Sequence, residues 1–145
     1  VILTSLDNGK WLVFVVVLIV ASADIGAYFS GSRFGKNKLS PNVSPNKTWE
    51  GFLGAIIANL CLTFLLGISL KLNLTEWLML FFIVMATVLA AVVGDLLESM
   101  MKRHRGVKDS GNILPGHGGV LDRVDSLTAA LPVFTLIFIY SSFKL

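Results

Sequence analysis

A chain of 145 residues that is 54% hydrophobic and only 14% charged lacks the polar residues needed to coat a soluble globule of its size. Its formal charge of +3 is small, and most of the basic residues fall in two segments rather than along one broad face, so no nucleic-acid partner is expected. A bilayer is the expected solvent. The single cysteine, Cys61, lies inside an apolar stretch, where it has no disulfide partner and no second thiolate for a metal site. The chain opens on Val1, and its leading VILTSLDNGK has neither a positively charged start nor a small-residue cleavage site, so it reads as a piece of a longer protein.

Four apolar stretches, at about residues 11–29, 52–70, 77–98 and 124–143, each approach the roughly 20 residues that cross a hydrocarbon core as helix. They predict an all-α, polytopic membrane bundle of four spanning helices in one unit, residues 1–145. The first stretch begins at Trp11 and carries Asp24 about five residues before its end. Residues 30–50 follow as a non-helical loop containing Arg33, Lys36, Lys38 and Lys47, with Pro41 and Pro45 opposing helix. Thr48 is a plausible N-cap for the second helix, and Glu50 in the first turn complements the positive end of its dipole. Lys47 stands at the mouth of that helix, where an anion is favoured; it is a candidate substrate-phosphate ligand or a topology signal.

The third stretch opens near Trp77 and ends on Asp95 and Glu98. Asp95, Glu98, Ser99 and Lys102 follow i, i+3, i+4, i+7 spacing, which lines up two acids, a hydroxyl and a cation on one helical face. Carboxylates in a spanning helix cost about 2.5–3.5 kcal/mol at its centre, so they are expected to face the bundle interior and to find partners. Two readings remain open for this face: a ligand site, or an ordinary Glu98–Lys102 pair with Asp95 bonding between helices. The same choice stands for Asp24. The fourth stretch runs to Tyr140. Lys and Arg are dense in the loop at residues 30–50 and in the one at residues 101–125, and sparse elsewhere, so both loops are expected on the cytoplasmic side.

The second basic segment, SMMKRHRGVKDSGNILPGHGGVLDRVD, is richer in chemistry than a topology signal needs. Glycines at 116, 118 and 119 leave backbone N–H groups free to cradle phosphate oxygens. Lys102, Arg103, Arg105 and Lys108 are candidates to neutralise phosphate charge, Arg being able to grip it bidentately. Asp122 and Asp125 are hard oxygen donors beside that surface and suit a cation such as Mg2+. A basic loop that only attracts anionic headgroups explains the cations, but neither the Asp residues nor the glycines. His117 has no second ligand near it in sequence, so zinc is not expected, and no Walker-type loop, GxGxxG or HExxH is present.

Residues 99–125 resemble the signature of the phosphatidate cytidylyltransferase family: Ser, any, apolar, Lys-Arg, four residues, Lys-Asp, then small, apolar and Pro/Gly positions, His-Gly-Gly, and a closing Asp-Arg-apolar-Asp. Ser99, Met101, Lys102, Arg103, Lys108, Asp109, Gly111, Leu114, Pro115, His117, Gly118, Gly119, Asp122, Arg123 and Asp125 stand at the matching places. The segments ADIGAYFSGSRFGK and SPNKTWEG look like the same family, whose members are longer than this chain. The resemblance implies a transferase that makes CDP-diacylglycerol and pyrophosphate from CTP and phosphatidic acid. It implies a metal centre on Asp95 and Asp122, with Glu98 and Asp125 as further carboxylates and Mg2+ and K+ as the ions. Lys102, Arg103, Lys108, Asp109, His117 and Arg123 are the implied catalytic groups; Lys47, Ser99, Gly118, Gly119 and Asp24 the implied substrate-binding ones. A bacterial inner membrane is the corresponding expectation, with the site facing the cytoplasm as the loop charges predict; whether the protein is a homo-oligomer is left open. The rivals are a related CTP-dependent transferase for another lipid phosphate and, from a different class, part of a cation channel or transporter, which would also bring Asp24, Asp95 and Glu98 into a bundle.

Overall fold

The structure, a computed structural model, describes residue 3 and residues 8–107, 110, 111, 119 and 121–141; the side chain of Arg123 lies outside the description. Four helices account for most of it: α1 (Gly9–Phe34), α2 (Trp49–Ser69), α3 (Leu74–His104) and α4 (Leu121–Tyr140). α1, α2 and α3 are each long and apolar enough to cross a bilayer, whereas the apolar part of α4, Val124–Tyr140, is shorter. At 31 residues, α3 is about 46 Å long by helical rise, more than the hydrocarbon core of about 30 Å, so its polar end stands beyond the apolar layer.

Two features depart from the expectation for residues 30–50. α1 continues to Phe34, so Asp24 sits ten residues from the helix end rather than five, nearly three turns deep. The remaining residues form an antiparallel hairpin of β1 (Lys38–Ser40) and β2 (Ser44–Thr48), with Lys38 paired to Thr48 and Ser40 to Ser44. Pro45 is accommodated because the ribbon has only two strands and each has a free edge. Thr48 then caps α2, its Oγ1 accepting from Gly51 N at 3.1 Å. The Glu50 carboxylate accepts from Asn37 Nδ2 at 2.9 Å and from Asn37 N at 3.2 Å, closing the base of the hairpin.

The interior is built from large residues of α1, α3 and α4 and small ones of α2. Leu12, Val15, Val16 and Ile19 meet Leu80, Ile83, Val84 and Val88, with Phe134 of α4. α2 buries Gly51, Gly54, Ala55, Asn59, Thr63 and Gly67, and presents Leu53, Ile57, Phe64, Leu65 and Ile68 outward. Small and polar residues inside with large apolar ones outside is the pattern of a helix solvated by lipid, where close backbone packing replaces the hydrophobic effect. Thr63 and Thr87 bond back to the carbonyls of Asn59 and Ile83 at 2.8 and 2.7 Å, so their hydroxyls are satisfied inside the bundle. The indole of Trp77 packs edge-to-face on Phe64, with centroids 5.6 Å apart, and covers Gly67, which joins α3 to α2.

α2 and α3 both end in αL caps. Leu72 N bonds to Gly67 O and Lys71 N to Ile68 O after α2; Val107 N bonds to Lys102 O and Gly106 N to Arg103 O after α3. The left-handed position is taken by Gly106 in the second cap and by Lys71, at φ 53°, in the first.

Candidate functional site

The hairpin between α1 and α2, the end of α3 and the start of α4 come together at one end of the bundle. Arg103 near the end of α3 donates through Nε to the Val43 carbonyl at the hairpin tip, 3.3 Å away, and Lys47 of β2 pairs with Asp95 of α3. A cavity of about 630 Å³ opens between these elements. Its polar wall contains Asp24 from α1, Lys47 from β2, Asp95 from α3 and Asp122 and Asp125 from α4. Its apolar wall descends along α1 through Val20, Ala21 and Val17, facing Ala91 and Val92 of α3.

Glycines let the helices that carry the carboxylates pack closely. A Cβ on Gly94 would sit 2.3 Å from the Ala129 methyl, so α3 and α4 touch at the residue next to Asp95 and one turn after Asp125. A Cβ on Gly26 would stand 2.5 Å from the Gly54 carbonyl oxygen, so α1 approaches α2 just beyond Asp24. Asp24 and Asp125 consequently both feel the charge of Asp95. Four carboxylates and one ammonium on a single wall leave an excess of negative charge that no other described side chain of the lining offsets.

Lys102 holds one of these acids, Asp122, together with Glu98 behind the wall. Lys102 Nζ lies 2.7 Å from Asp122 Oδ1 and 3.2 Å from Glu98 Oε1, with all three side chains largely buried. The other Asp122 oxygen accepts from Gly119 N at 2.8 Å and Ser110 N at 2.9 Å. The Lys102 ammonium, followed by these backbone N–H groups, holds the Asp122 carboxyl well below the usual carboxylate range. Ser99 Oγ points at Asp95 Oδ1, 3.5 Å away, and the Asp125 carboxylate accepts from Ser126 N at 2.7 Å.

Among the candidates from sequence, Asp24, Lys47, Asp95, Asp122 and Asp125 line the cavity directly. Glu98, Ser99, Lys102 and Gly119 stand behind them and fix Asp95 or Asp122. The shared face of Asp95, Glu98, Ser99 and Lys102 is thus present, and it includes the i, i+4 Glu98–Lys102 pair. Arg103 turns the other way, toward the Val43 and Val107 carbonyls. Lys108, Asp109, His117 and Gly118 lie outside the described residues. Ser44, Asn46 and Ser126 also line the cavity. The first two belong to the SPNKTWEG segment, and alternation along a strand would have placed them on one face had the hairpin been recognised.

An all-oxygen donor set of four carboxylates, without imidazole or thiolate, fits a hard cation such as Mg2+. Among the described residues no three such side chains converge tightly enough to grip one ion, and lysines engage Asp95 and Asp122.

The sequence profile of the cytidylyltransferase family matches residues 1–141. The chain belongs to that family. Cytidylyltransferase-family relatives include the phosphatidate cytidylyltransferase of Haemophilus influenzae, 49% identical over 139 residues, which cover 92% of this chain and 47% of the relative. That of Pseudomonas aeruginosa is 52% identical over 129 residues, 89% of this chain and 47% of the relative. That of Staphylococcus saprophyticus is 44% identical over 133 residues, 92% of this chain and 51% of the relative. The chain therefore spans about half the length of these relatives. An intramembrane enzyme of archaeal membrane lipid biosynthesis has a similar fold, with a TM-score of 0.58 at 21% identity over 88% of this chain and 80% of that one. As a cytidylyltransferase-family chain with apolar helices, it is a membrane protein.

Proposed function

We propose that the full-length protein is a phosphatidate cytidylyltransferase: a phosphatidic acid phosphate oxygen attacks the α-phosphorus of CTP in line and expels pyrophosphate, leaving CDP-diacylglycerol. The observation that carries this reading is the cavity in which Asp24, Lys47, Asp95, Asp122 and Asp125 meet at the polar end of an apolar bundle. Its polar wall suits a nucleotide arriving from water, and its apolar wall suits a lipid arriving sideways from the bilayer. Family membership favours this chemistry over a channel or transporter. The attacking lipid phosphate is already ionised near neutral pH, so no protein nucleophile is needed, and the chain's task is positioning and charge stabilisation.

An acid-rich wall repels a triphosphate unless cations intervene. Asp95 and Asp122 would hold Mg2+, accompanied by K+, with Asp125 and Glu98 as nearby carboxylates. When bound, the divalent ion would neutralise nucleotide phosphate charge and act as a Lewis acid. Lys102 keeps Asp122 ionised and oriented; Lys47, on the hairpin, is within reach of a phosphate entering beside Asp95. Lys108 and Arg123 would add positive charge for departing pyrophosphate, Gly118 a backbone donor for substrate phosphate, and Asp109 and His117 further polar contacts, while Arg103, bonded to the Val43 and Val107 carbonyls, and Gly119 N, bonded to Asp122, instead hold the hairpin and Asp122 in place. The density of Lys and Arg in both loops supports a cytoplasmic face for this site, and a bacterial inner membrane and a homo-oligomer belong to the same proposal.

The test is product formation by the full-length protein with CTP, Mg2+ and a panel of lipid phosphates. Stoichiometric CDP-diacylglycerol and pyrophosphate from phosphatidic acid are expected. Turnover only with a different lipid phosphate, or none with CTP, contradicts the assignment.

A further inference from the structure

Among the described residues lining the cavity, Lys47 is the one cation, and it pairs with Asp95. The two side chains are about three-quarters buried, at 24% and 28% exposure, so the pair is shielded from solvent more than a surface contact. They come from different parts of the chain: Lys47 from β2 and Asp95 from the polar end of α3. Apart from this pair, the Val43 carbonyl is the described hydrogen-bond acceptor through which the hairpin is tied to α3, by Arg103. Asp95 acts electrostatically on both Asp24 and Asp125, and Lys47 is the ammonium bonded within this group of acids, whereas Lys102, which also acts on Asp125, is held by Asp122 and Glu98.

An ammonium and a hard divalent cation seek the same carboxylate oxygens. We propose that Lys47 is a tethered counter-ion that occupies Asp95 while no divalent cation is bound and is displaced from it when one binds, which frees the ammonium for a nucleotide phosphate. The inference rests on the assignment of Asp95 as a metal-binding carboxylate, but not on turnover. The exchange keeps charge matched at each stage. The acid cluster stays assembled without metal because the lysine screens it. When the cation takes the carboxylate, the lysine is released beside the place where the polyanion must enter. Lys102 differs, because it holds Asp122 jointly with Glu98 and with two backbone N–H groups that lock the carboxylate from the other side.

Two measurements on the full-length protein test this without CTP or lipid substrate. In the first, Mn2+ binding is followed by electron paramagnetic resonance in wild type, Lys47→Met and Lys47→Arg. Removing a competing charged hydrogen bond should tighten Mn2+ binding about tenfold or more in Lys47→Met, whereas Lys47→Arg, which keeps the charge, stays within a few-fold of wild type. In the second, which needs no variant, labelling of Lys47 by an amine-reactive probe is quantified by mass spectrometry with and without Mg2+, using Lys38 on the same hairpin as internal reference. Labelling of Lys47 relative to Lys38 should rise several-fold when Mg2+ is added. Wild type that binds Mn2+, with unchanged or weaker binding in Lys47→Met or with Lys47 labelling indifferent to Mg2+, overturns the exchange while leaving the metal site standing. Wild type that binds no Mn2+ overturns both.

Discussion

Asp122 joins three segments through one carboxylate: Lys102 at 2.7 Å, Ser110 N at 2.9 Å and Gly119 N at 2.8 Å. Its charge was legible in sequence as a candidate metal ligand. Its second role was not, because which backbone N–H groups turn toward it depends on the path of the chain around Ser110 and Gly119. An amide at this position keeps the side-chain volume but presents an N–H group to Lys102 or to the backbone donors. Asp122→Asn is therefore expected to abolish most cytidylyl transfer and also to lower stability by about 1–3 kcal/mol in metal-free buffer, read by thermal unfolding. A residue acting only as a metal ligand would leave metal-free stability unchanged. Because the folded pKa is depressed, the stabilisation is fully present above the unfolded value of about 3.9 and is lost only as pH falls through the lower folded one. Between pH 5 and 8 this anchor should be insensitive to pH.

At the scale of elements, the spanning helices were readable because an apolar run of about 20 residues admits few alternatives in a bilayer. The hairpin at Lys38–Ser40 and Ser44–Thr48 was not: it is short, polar and contains Pro45, so neither alternation nor β-propensity marks it. The extension of α1 to Phe34 was missed for a similar reason, since its last turns are no longer uniformly apolar. Helix contacts were equally hidden, as a glycine in a spanning helix does not announce what it touches. Gly94 is the sharpest case, with α4 pressed against it at Ala129 beside Asp95 and Asp125. Gly94→Ala should force α3 from α4, cost about 1–3 kcal/mol by overpacking and depress turnover. Ala129→Gly removes the opposing methyl, so the double variant should recover part of both losses, a coupling of about 0.5–3 kcal/mol in a double-mutant cycle of thermal stability. Additive effects would show that the two positions do not meet.

Across the whole molecule, charge and hydropathy together foretold that the two basic connections lie at the same end. The contacts of Arg103 with Val43 and of Lys47 with Asp95 bring the hairpin and the polar end of α3 together there. What patterning could not supply is the convergence of Asp24, Asp95, Asp122 and Asp125 on one cavity, because that depends on how three helices cross. Asp95 is the carboxylate that faces α1, α4 and the hairpin at once. The decisive measurement is therefore the rate of CDP-diacylglycerol formation by full-length Asp95→Asn protein in phosphatidic acid vesicles with saturating CTP and Mg2+, alongside wild type at equal membrane-inserted amounts. If this cavity is where the cytidylyl group is transferred, the rate should fall on the order of a hundredfold or more, because a preorganised charge at the reacting phosphates is lost while insertion is unimpaired or easier. Turnover near the wild-type rate with unchanged Mg2+ dependence would contradict it.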